Sequence, residues 1–293
     1  MTTDVIITGT GVPHLAPGRA GPGTLVVCGD VRLQFDAGRA TALRLCEAGV
    51  RVHQLSALFV THHHSDHLTG LTDLLFARWL EAHGRFVPLP VVAPRGPSTR
   101  FLERMMDPWE DDLLVRSQHV GRTDHPRPDI RPFDIADEPL EVWASADGAV
   151  RVTARAVHHE PVTPAVAYRV DTPDGAVVIS GDTIVCDEVA QLAAGADVVV
   201  HEAFRADALR PFHAAMPHLA HLAAYHADTV QLGRQAQRIG VPRLVLTHLI
   251  PAPAPGQTTE ADFEDDVRRG GYTGDVVVAR DLTTVRIGPA DHG

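Results

Sequence analysis

Residues 57–70 read ALFVTHHHSDHLTG and lead from an apolar run through a histidine cluster into a segment of helical period. The run Ala57 to Val60 predicts a buried strand, and the segment from Leu68 to Ala82 predicts a helix. Between them, six consecutive positions contain four histidines and one aspartate. Imidazole nitrogens and carboxylate oxygens are ligands that suit zinc, and also manganese or iron. The junction is therefore a predicted metal site.

The cluster divides into two sets of candidate ligands. His62 and His64 alternate along an extended segment, so both can face one ion. Asp66 and His67 lie at the start of the helix and can face a second ion. A solvated polar turn is the alternative interpretation, but it explains one or two histidines better than it explains four. The pattern favours metal binding.

Composition limits the class of protein. The chain has 293 residues, 44% of them hydrophobic, which is enough for a substantial buried core. It contains 26 Lys and Arg against 37 Asp and Glu, a net charge of −11, so we expect a small-molecule substrate and no nucleic acid. The cysteines form no CxxC spacing that would suggest a thiolate zinc site. The sequence shows neither a basic leader nor a long apolar stretch, and we expect a cytoplasmic protein without a membrane span.

The order of predicted elements indicates an α/β fold. Short β-branched runs recur at 5–8, 24–27, 31–35, 57–60, 91–93, 150–157, 166–170, 176–179, 198–200, 244–247 and 276–278, and segments of helical period lie between some of them. Strands come first, then helices interleaved with strands, then a second strand-rich set. This order favours a sandwich of two mixed β-sheets with helices on the outer faces, forming a single domain over residues 1–293.

The cluster and four further motifs together resemble the metallo-β-lactamase superfamily. His62, His64, Asp66 and His67 match its HxHxDH signature. The other motifs follow in the family's order: TGTGVP at 8–13 with FDAGR at 35–39, AVHHEP at 156–161, ISGDT at 179–183 and VLTH at 245–248. The resemblance implies a four-layer αββα sandwich. The N-terminal motifs are similar to the branch that includes the tRNA 3′-processing endonuclease RNase Z and arylsulfatase-like hydrolases.

The resemblance implies a dinuclear site. A first ion would bind His62, His64 and His159, a second would bind Asp66, His67 and His248, and Asp182 would bridge them. His158 competes with His159, which we prefer because the following Pro161 and strand then fall where the branch places them. The ions would be divalent, with zinc first and manganese or iron as alternatives, and a bridging water or hydroxide would attack an ester-type bond.

Two further residues complete the catalytic prediction alongside Asp66. The segment VHEA at 200–203 and the segment YHADT at 225–229 are similar to sequence motifs of the RNase Z branch. By position, the resemblance implies that Glu202 orients His226 and that His226 protonates the leaving group. A surface carboxylate and a polar residue at a helix start are the alternative interpretations.

The substrate is predicted from what the chain lacks. RNase Z proteins commonly carry a basic arm between the third-ligand histidine and the bridging aspartate. Here only two strands and the turn Thr172 to Gly175 separate His159 from Asp182. We therefore expect hydrolysis of a phosphodiester, sulfate ester or lactone in a small molecule.

Several alternatives and accessory features stay open. The alternatives to a small-molecule hydrolase are a tRNA 3′-processing endonuclease, and an iron-dependent oxidoreductase or non-catalytic metal protein of the same fold. The resemblance also allows a homodimer. Residues 204–225 are a hypothetical lid, because they lie between the segments that contain Glu202 and His226.

Overall fold

Two mixed β-sheets form the centre of the protein. The computed structural model describes residues 2–82, 86–254 and 256–288. Within them, the strands are β1 (Thr3–Gly9), β2 (Gly23–Cys28), β3 (Val31–Phe35), β4 (Ala57–Phe59), β5 (Pro90–Pro94), β6 (Asp129–Phe133), β7 (Leu140–Ala144), β8 (Arg151–Ala156), β9 (Val166–Thr172), β10 (Gly175–Ile179), β11 (Val198–Phe204), β12 (Arg243–Ile250), β13 (Asp275–Val278) and β14 (Thr284–Ile287).

The strand order confirms the predicted architecture. The first sheet has the order β14-β1-β2-β3-β4-β5-β6, and the second has the order β13-β12-β11-β10-β9-β8-β7. In the first sheet, pairing is antiparallel from β14 to β3 and parallel from β3 to β6. In the second, it is parallel from β13 to β10 and antiparallel from β10 to β7. Each sheet is thus mixed.

Helices cover the outer face of each sheet. The α-helices of the described ranges are α1 (Thr41–Glu47), α2 (Ser65–Leu68), α3 (Leu71–Leu80), α4 (Pro97–Arg104), α5 (Glu110–Val120), α6 (Asp187–Leu192), α7 (Ala206–Leu209), α8 (Leu219–Leu222), α9 (Thr229–Ile239) and α10 (Glu260–Arg269). No helix in the described ranges is long and apolar enough to cross a membrane.

Three apolar layers account for the four-layer packing. The central layer joins side chains of both sheets, such as Phe35 and Tyr168. A second layer joins the first sheet to helices that include α3, where Trp79 is fully buried. The third joins the second sheet to helices that include α9 and α10, through residues such as Leu232 and Phe263. Burial of these apolar faces is the main favourable contribution to folding.

The helix predicted from Leu68 onward is divided in two. Helix α2 ends at Leu68 and α3 begins at Leu71. A Cβ atom at Gly70, between them, would lie only 1.9 Å from the carbonyl oxygen of Gly38. This close approach places the start of α3 against the loop after β3. The ends of β3, β4, β10, β11 and β12 thereby meet at one edge of the sandwich, where the candidate ligands lie.

Candidate metal centre

Four side chains form the first group of candidate ligands. His62, His64, His159 and Asp182 each place one ligand atom within 4.8 Å of the others. His159 Nε2 lies 3.2 Å from His64 Nδ1, and 3.9 Å from Asp182 Oδ2. Donors bound tetrahedrally to zinc at about 2.0–2.1 Å stand about 3.3–3.4 Å apart. The spacing of these atoms is therefore close to that of ligands around a single ion.

A second group lies directly beside the first. Asp66, His67 and His248 also place ligand atoms within 4.8 Å of one another. His248 Nε2 is 3.4 Å from Asp66 Oδ2 and 3.4 Å from Asp182 Oδ2, while His67 Nε2 is 3.4 Å from Asp182 Oδ1. Asp182 thus faces both groups. A carboxylate in this position can supply one oxygen to each of two cations.

Hydrogen bonds outside the cluster fix the orientation of the rings. Asp36 Oδ2 accepts from His67 Nδ1 at 2.7 Å and from the hydroxyl of Thr61 at 2.8 Å. Because that hydroxyl proton is directed at Asp36, the Thr61 oxygen accepts from His62 Nδ1, 2.9 Å away. His159 Nδ1 donates to the carbonyl oxygen of Tyr225 at 2.8 Å. In each ring the proton lies on Nδ1, which leaves Nε2 free to bind a metal.

Unpaired buried atoms support a cation at this position. His62 Nε2, His67 Nε2 and Asp182 Oδ1 are buried and have no hydrogen-bond partner among the described residues. Leaving such atoms unpaired costs about 1–3 kcal/mol each. All three belong to the two ligand groups. The residues present are therefore compatible with a divalent metal site.

The electrostatics of His62 and Asp182 match the protonation states that metal binding requires. At His67, burial is outweighed by Asp182 and Asp36, which raise the pKa of the ring, so a metal would have to displace a proton there. Burial lowers the pKa of His62 well below its usual value, which favours the neutral imidazole. Burial opposes ionisation of Asp182, but the neighbouring His248 and His67 outweigh it and hold the pKa of Asp182 well below its usual range. A neutral imidazole and an ionised carboxylate are the ligand forms of these residues.

Strained backbone positions three elements of the site. His248 is an extra residue in the pairing of β12 with β11, where Glu202 pairs with Thr247 and Ala203 with Leu249. Its φ of 44° is left-handed, as are the φ of Asp36 at 55° and of Gly181 at 60°. Left-handed non-glycine residues are uncommon, and bulges re-aim side chains beside active sites. The bulge turns His248 into the cluster.

The structure brings the predicted catalytic pair into contact. His226 Nδ1 donates to Glu202 Oε1 at 2.8 Å, and the same oxygen accepts from the backbone N–H of Thr183 at 3.0 Å. Both predicted side chains are buried. Burial lowers the pKa of His226, but the charge and hydrogen bond of Glu202 outweigh this and raise it to about 9. His226 also lies within 4.8 Å of ligand atoms of Asp182 and His248.

The adjacent histidines differ in their surroundings. His158 is half-exposed and lies 3.6 Å from Glu160 and 3.4 Å from Glu188. His159 is buried within the first ligand group. Position in the structure therefore favours His159, as the sequence did.

Residues 204–225 lie beside the cluster. They include α7 and α8, and they are largely exposed. The last residue, Tyr225, contacts His159 through its carbonyl oxygen. The role of this segment as a lid stays a prediction.

The residues that hold the ligands in place were not predicted from the sequence. Asp36 served only as part of a branch motif, yet it contacts Thr61 and His67 and thereby orients rings of both ligand groups. Thr61 and the carbonyl oxygen of Tyr225 were not identified either. For Asp36, a carboxylate directly after an apolar strand was a usable signal. A backbone carbonyl has no sequence signal at all.

Comparison with known proteins identifies the class. The beta-lactamase superfamily domain matches residues 30–249. YhfI from Bacillus subtilis, described as a metallo-beta-lactamase fold protein, superposes with a TM-score of 0.72 at 23% identity, covering 98% of this chain and 100% of that one. The short form of human tRNase Z gives a TM-score of 0.69 at 20% identity, with coverage of 98% and 100%. The protein is a metal-dependent hydrolase with the metallo-β-lactamase fold.

Closer relatives place the chain within the superfamily. Ribonuclease Z of Mycobacterium sp. (strain KMS) is 36% identical over 266 residues, 89% of this chain and 88% of that protein. Ribonuclease Z of Mycobacterium bovis (strain BCG / Pasteur 1173P2) is 33% identical over 287 residues, 98% of this chain and 99% of that protein. The chain belongs to the RNase Z branch of the metallo-β-lactamase superfamily.

These relatives contradict the expected substrate. We expected a small molecule and no nucleic acid, whereas the relatives are named as ribonucleases. The first premise, a net charge of −11, describes the whole molecule, but RNA binding depends on local charge. The second premise was the missing arm between His159 and Asp182. It does not distinguish this chain from the ribonuclease Z of Mycobacterium bovis, because the alignment covers 98% of this chain and 99% of that protein. The prediction was wrong.

Proposed function

We propose that this protein is a dinuclear metal-dependent endonuclease that removes the 3′ extension from tRNA precursors, as the name and branch of its relatives suggest. One observation carries the proposal. Two ligand groups share Asp182 and adjoin the Glu202–His226 pair, in a chain that aligns almost end to end with a ribonuclease Z.

The two ligand groups would hold one divalent ion each. His62, His64 and His159 would bind the first, with Asp182 shared between the ions. Asp66, His67 and His248 would bind the second. Two cations held in this way would supply an activated water and stabilise negative charge on the attacked phosphate. The nitrogen-rich ligand set favours zinc, with manganese or iron as alternatives.

The leaving oxygen needs a proton, and His226 would donate it. Its Nδ1 is engaged by Glu202, so the protonated ring presents Nε2–H as its free donor. Against the effect of burial, Glu202 raises the pKa of His226 to about 9, which favours the protonated ring at neutral pH. Glu202 would orient the imidazolium ring and stabilise its positive charge, while His226 would act as the acid.

A substrate panel tests the proposal. The metal-loaded protein would be incubated with a tRNA carrying a 3′ trailer, the mature tRNA, an unstructured RNA, a DNA of the trailer sequence and bis(p-nitrophenyl) phosphate. We expect one cut in the trailer-bearing tRNA, and no cut after treatment with a chelator. An Asp182→Asn variant, which loses the shared carboxylate, should be inactive. Hydrolysis of the nitrophenyl ester without cleavage of any RNA would overturn the RNA substrate.

A further inference from the structure

A cavity beside His226 is not used by the proposed reaction. It has a volume of about 480 Å³ and lies between the loop after Asp182, helix α7 and the first turn of α9. Small-molecule sites commonly occupy roughly 300–1,000 Å³. The cavity is therefore large enough for part of a nucleotide.

The walls of the cavity carry positive charge. Arg210, Arg234 and Arg269 line it together with Asp207. Asp207 pairs with Arg210 at 2.7 Å and with Arg269 at 3.0 Å, so a single carboxylate is shared by two guanidinium groups. Arg269 also pairs with Asp266 at 2.8 Å. These pairs hold two of the arginines in place at the wall.

Arg234 is different from the other two arginines. It is exposed, and within the described parts of the chain its guanidinium has no ion pair or hydrogen bond. The remaining carboxylate of the wall, Asp228, accepts the backbone N–H of Gln231 at 3.0 Å as the cap of α9. The cavity thus combines a free guanidinium with the positive end of an 11-residue helix. The three arginines outnumber the two lining carboxylates, Asp207 and Asp228, on a chain with a net charge of −11.

The location of the cavity indicates which part of a substrate it would receive. His226 lines the cavity, and its ring also lies within 4.8 Å of ligand atoms of Asp182 and His248. The proposed reaction assigns to His226 the protonation of the leaving oxygen. A group bound in the cavity would consequently lie beside the residue that is assigned to protonate the leaving oxygen.

We propose that this cavity is a subsite for a nucleotide phosphate next to the scissile bond, with Arg234 as the cation that binds it. The inference rests on the proposed function, because it takes the substrate to be a polynucleotide. Arginine presents a planar fork of N–H donors that matches two phosphate oxygens. Arg210 and Arg269, held by Asp207, would add charge without having to reorient.

The test is direct binding of adenosine 5′-monophosphate to the metal-loaded full chain, measured by titration calorimetry. Arg234→Gln should weaken binding about tenfold, the scale of one charge-assisted hydrogen-bonding contact. Arg238→Gln is the matched control. Arg238 lies one turn further along α9, is exposed, and pairs with Asp187 at 2.7 Å outside the cavity. The Arg238→Gln variant should bind the nucleotide like the wild type, and Arg234→Lys should recover part of the affinity that Arg234→Gln loses.

Two outcomes would overturn the subsite. The first is equal affinity in the Arg234→Gln and Arg238→Gln variants. The second is wild-type binding of inorganic phosphate that is as tight as binding of the nucleotide, which would indicate a site for free phosphate.

Cleavage of trailer-bearing tRNA separates this inference from the proposed function. If the wild type cleaves the RNA and Arg234→Gln changes neither KM nor nucleotide binding, the subsite is wrong and the function stands. If the wild type cleaves no RNA but Arg234→Gln weakens nucleotide binding, the RNA substrate is wrong and the subsite stands. Melting temperatures of the variants should match, because both side chains are exposed.

Discussion

Replacing Asp36 by asparagine should weaken metal binding although Asp36 belongs to neither ligand group. Asp36 is buried at the end of β3, and its Oδ2 accepts from His67 Nδ1 and from the Thr61 hydroxyl. Its Oδ1 accepts the backbone N–H of Thr61 at 2.8 Å. In the variant, the single amide oxygen can take the position of Oδ1 or of Oδ2, but not both. An amide N–H facing His67 Nδ1 would move the ring proton to Nε2, the atom directed at the cluster.

The expected effect follows from that change of tautomer. Loss of a carboxylate that orients a ligating histidine typically costs about 10–100-fold in metal affinity, or about 1.4–2.8 kcal/mol. Here the same carboxylate orients His67 directly and His62 through Thr61. Rings of both ligand groups are affected, so we expect a loss near the upper end of this range.

Competition with a chromophoric chelator measures the affinity. Asp30→Asn is the matched control, because Asp30 precedes β3, Asp36 follows it, and Asp30 is exposed. The control should bind metal as the wild type does. Equal affinities of the Asp36→Asn variant and the wild type would refute the role assigned to Asp36.

Four further predictions concern the rest of the site. His226→Ala should lower kcat strongly on a phosphodiester with a poor leaving group and leave the metal content intact by mass spectrometry; loss of metal would show instead that His226 is a ligand. Glu202→Gln removes the charge that raises the pKa of His226 toward about 9, so the alkaline limb of the kcat profile should move to lower pH, and an unmoved limb would argue against the pair. Gly181→Ala should lower the free energy of unfolding by about 1–3 kcal/mol, because φ is 60° and the added Cβ would lie 2.8 Å from Thr61 Cβ; unchanged urea denaturation would contradict this. Shortening residues 206–222 should raise KM for RNA, and an unaltered KM and kcat would exclude a lid.

The candidate ligands could be predicted because their side chains are of types that bind metals and lie in recognisable sequence motifs. His62, His64, Asp66 and His67 form a dense local motif, Asp182 follows the apolar strand β10, and His248 lies near the end of the apolar strand β12. The positioning of these ligands could not be predicted. The left-handed φ of His248 arises from the pairing of β12 with β11, which is a long-range feature.

Strands at the sheet edges were the main omission from the predicted fold. β6, β7 and β14 were not predicted, and each forms an edge of its sheet. Edge strands are partly solvated and tolerate charge and proline, so their apolar pattern is weak. β6 contains Pro132, and all but two of its five residues are exposed. By contrast, β11 is buried at every position and was found readily.

The substrate was mispredicted because it depends on the distribution of charge rather than its sum. The net charge of −11 averages over a surface on which Arg210, Arg234 and Arg269 gather at one cavity. Arg210 and Arg269 lie far apart in the sequence and are brought together by Asp207, which pairs with both. No local sequence pattern indicates that these arginines lie together.

Metal titration with a parallel cleavage assay tests the central claim most directly. Metal-free protein would receive zinc in steps, and bound metal and cleavage of trailer-bearing tRNA would be measured on the same samples. The dinuclear account predicts two ions bound per chain, full activity only after the second is bound, and no activity in Asp182→Asn. RNA cleavage that persists in metal-free protein, or that is complete with one ion per chain, would contradict it.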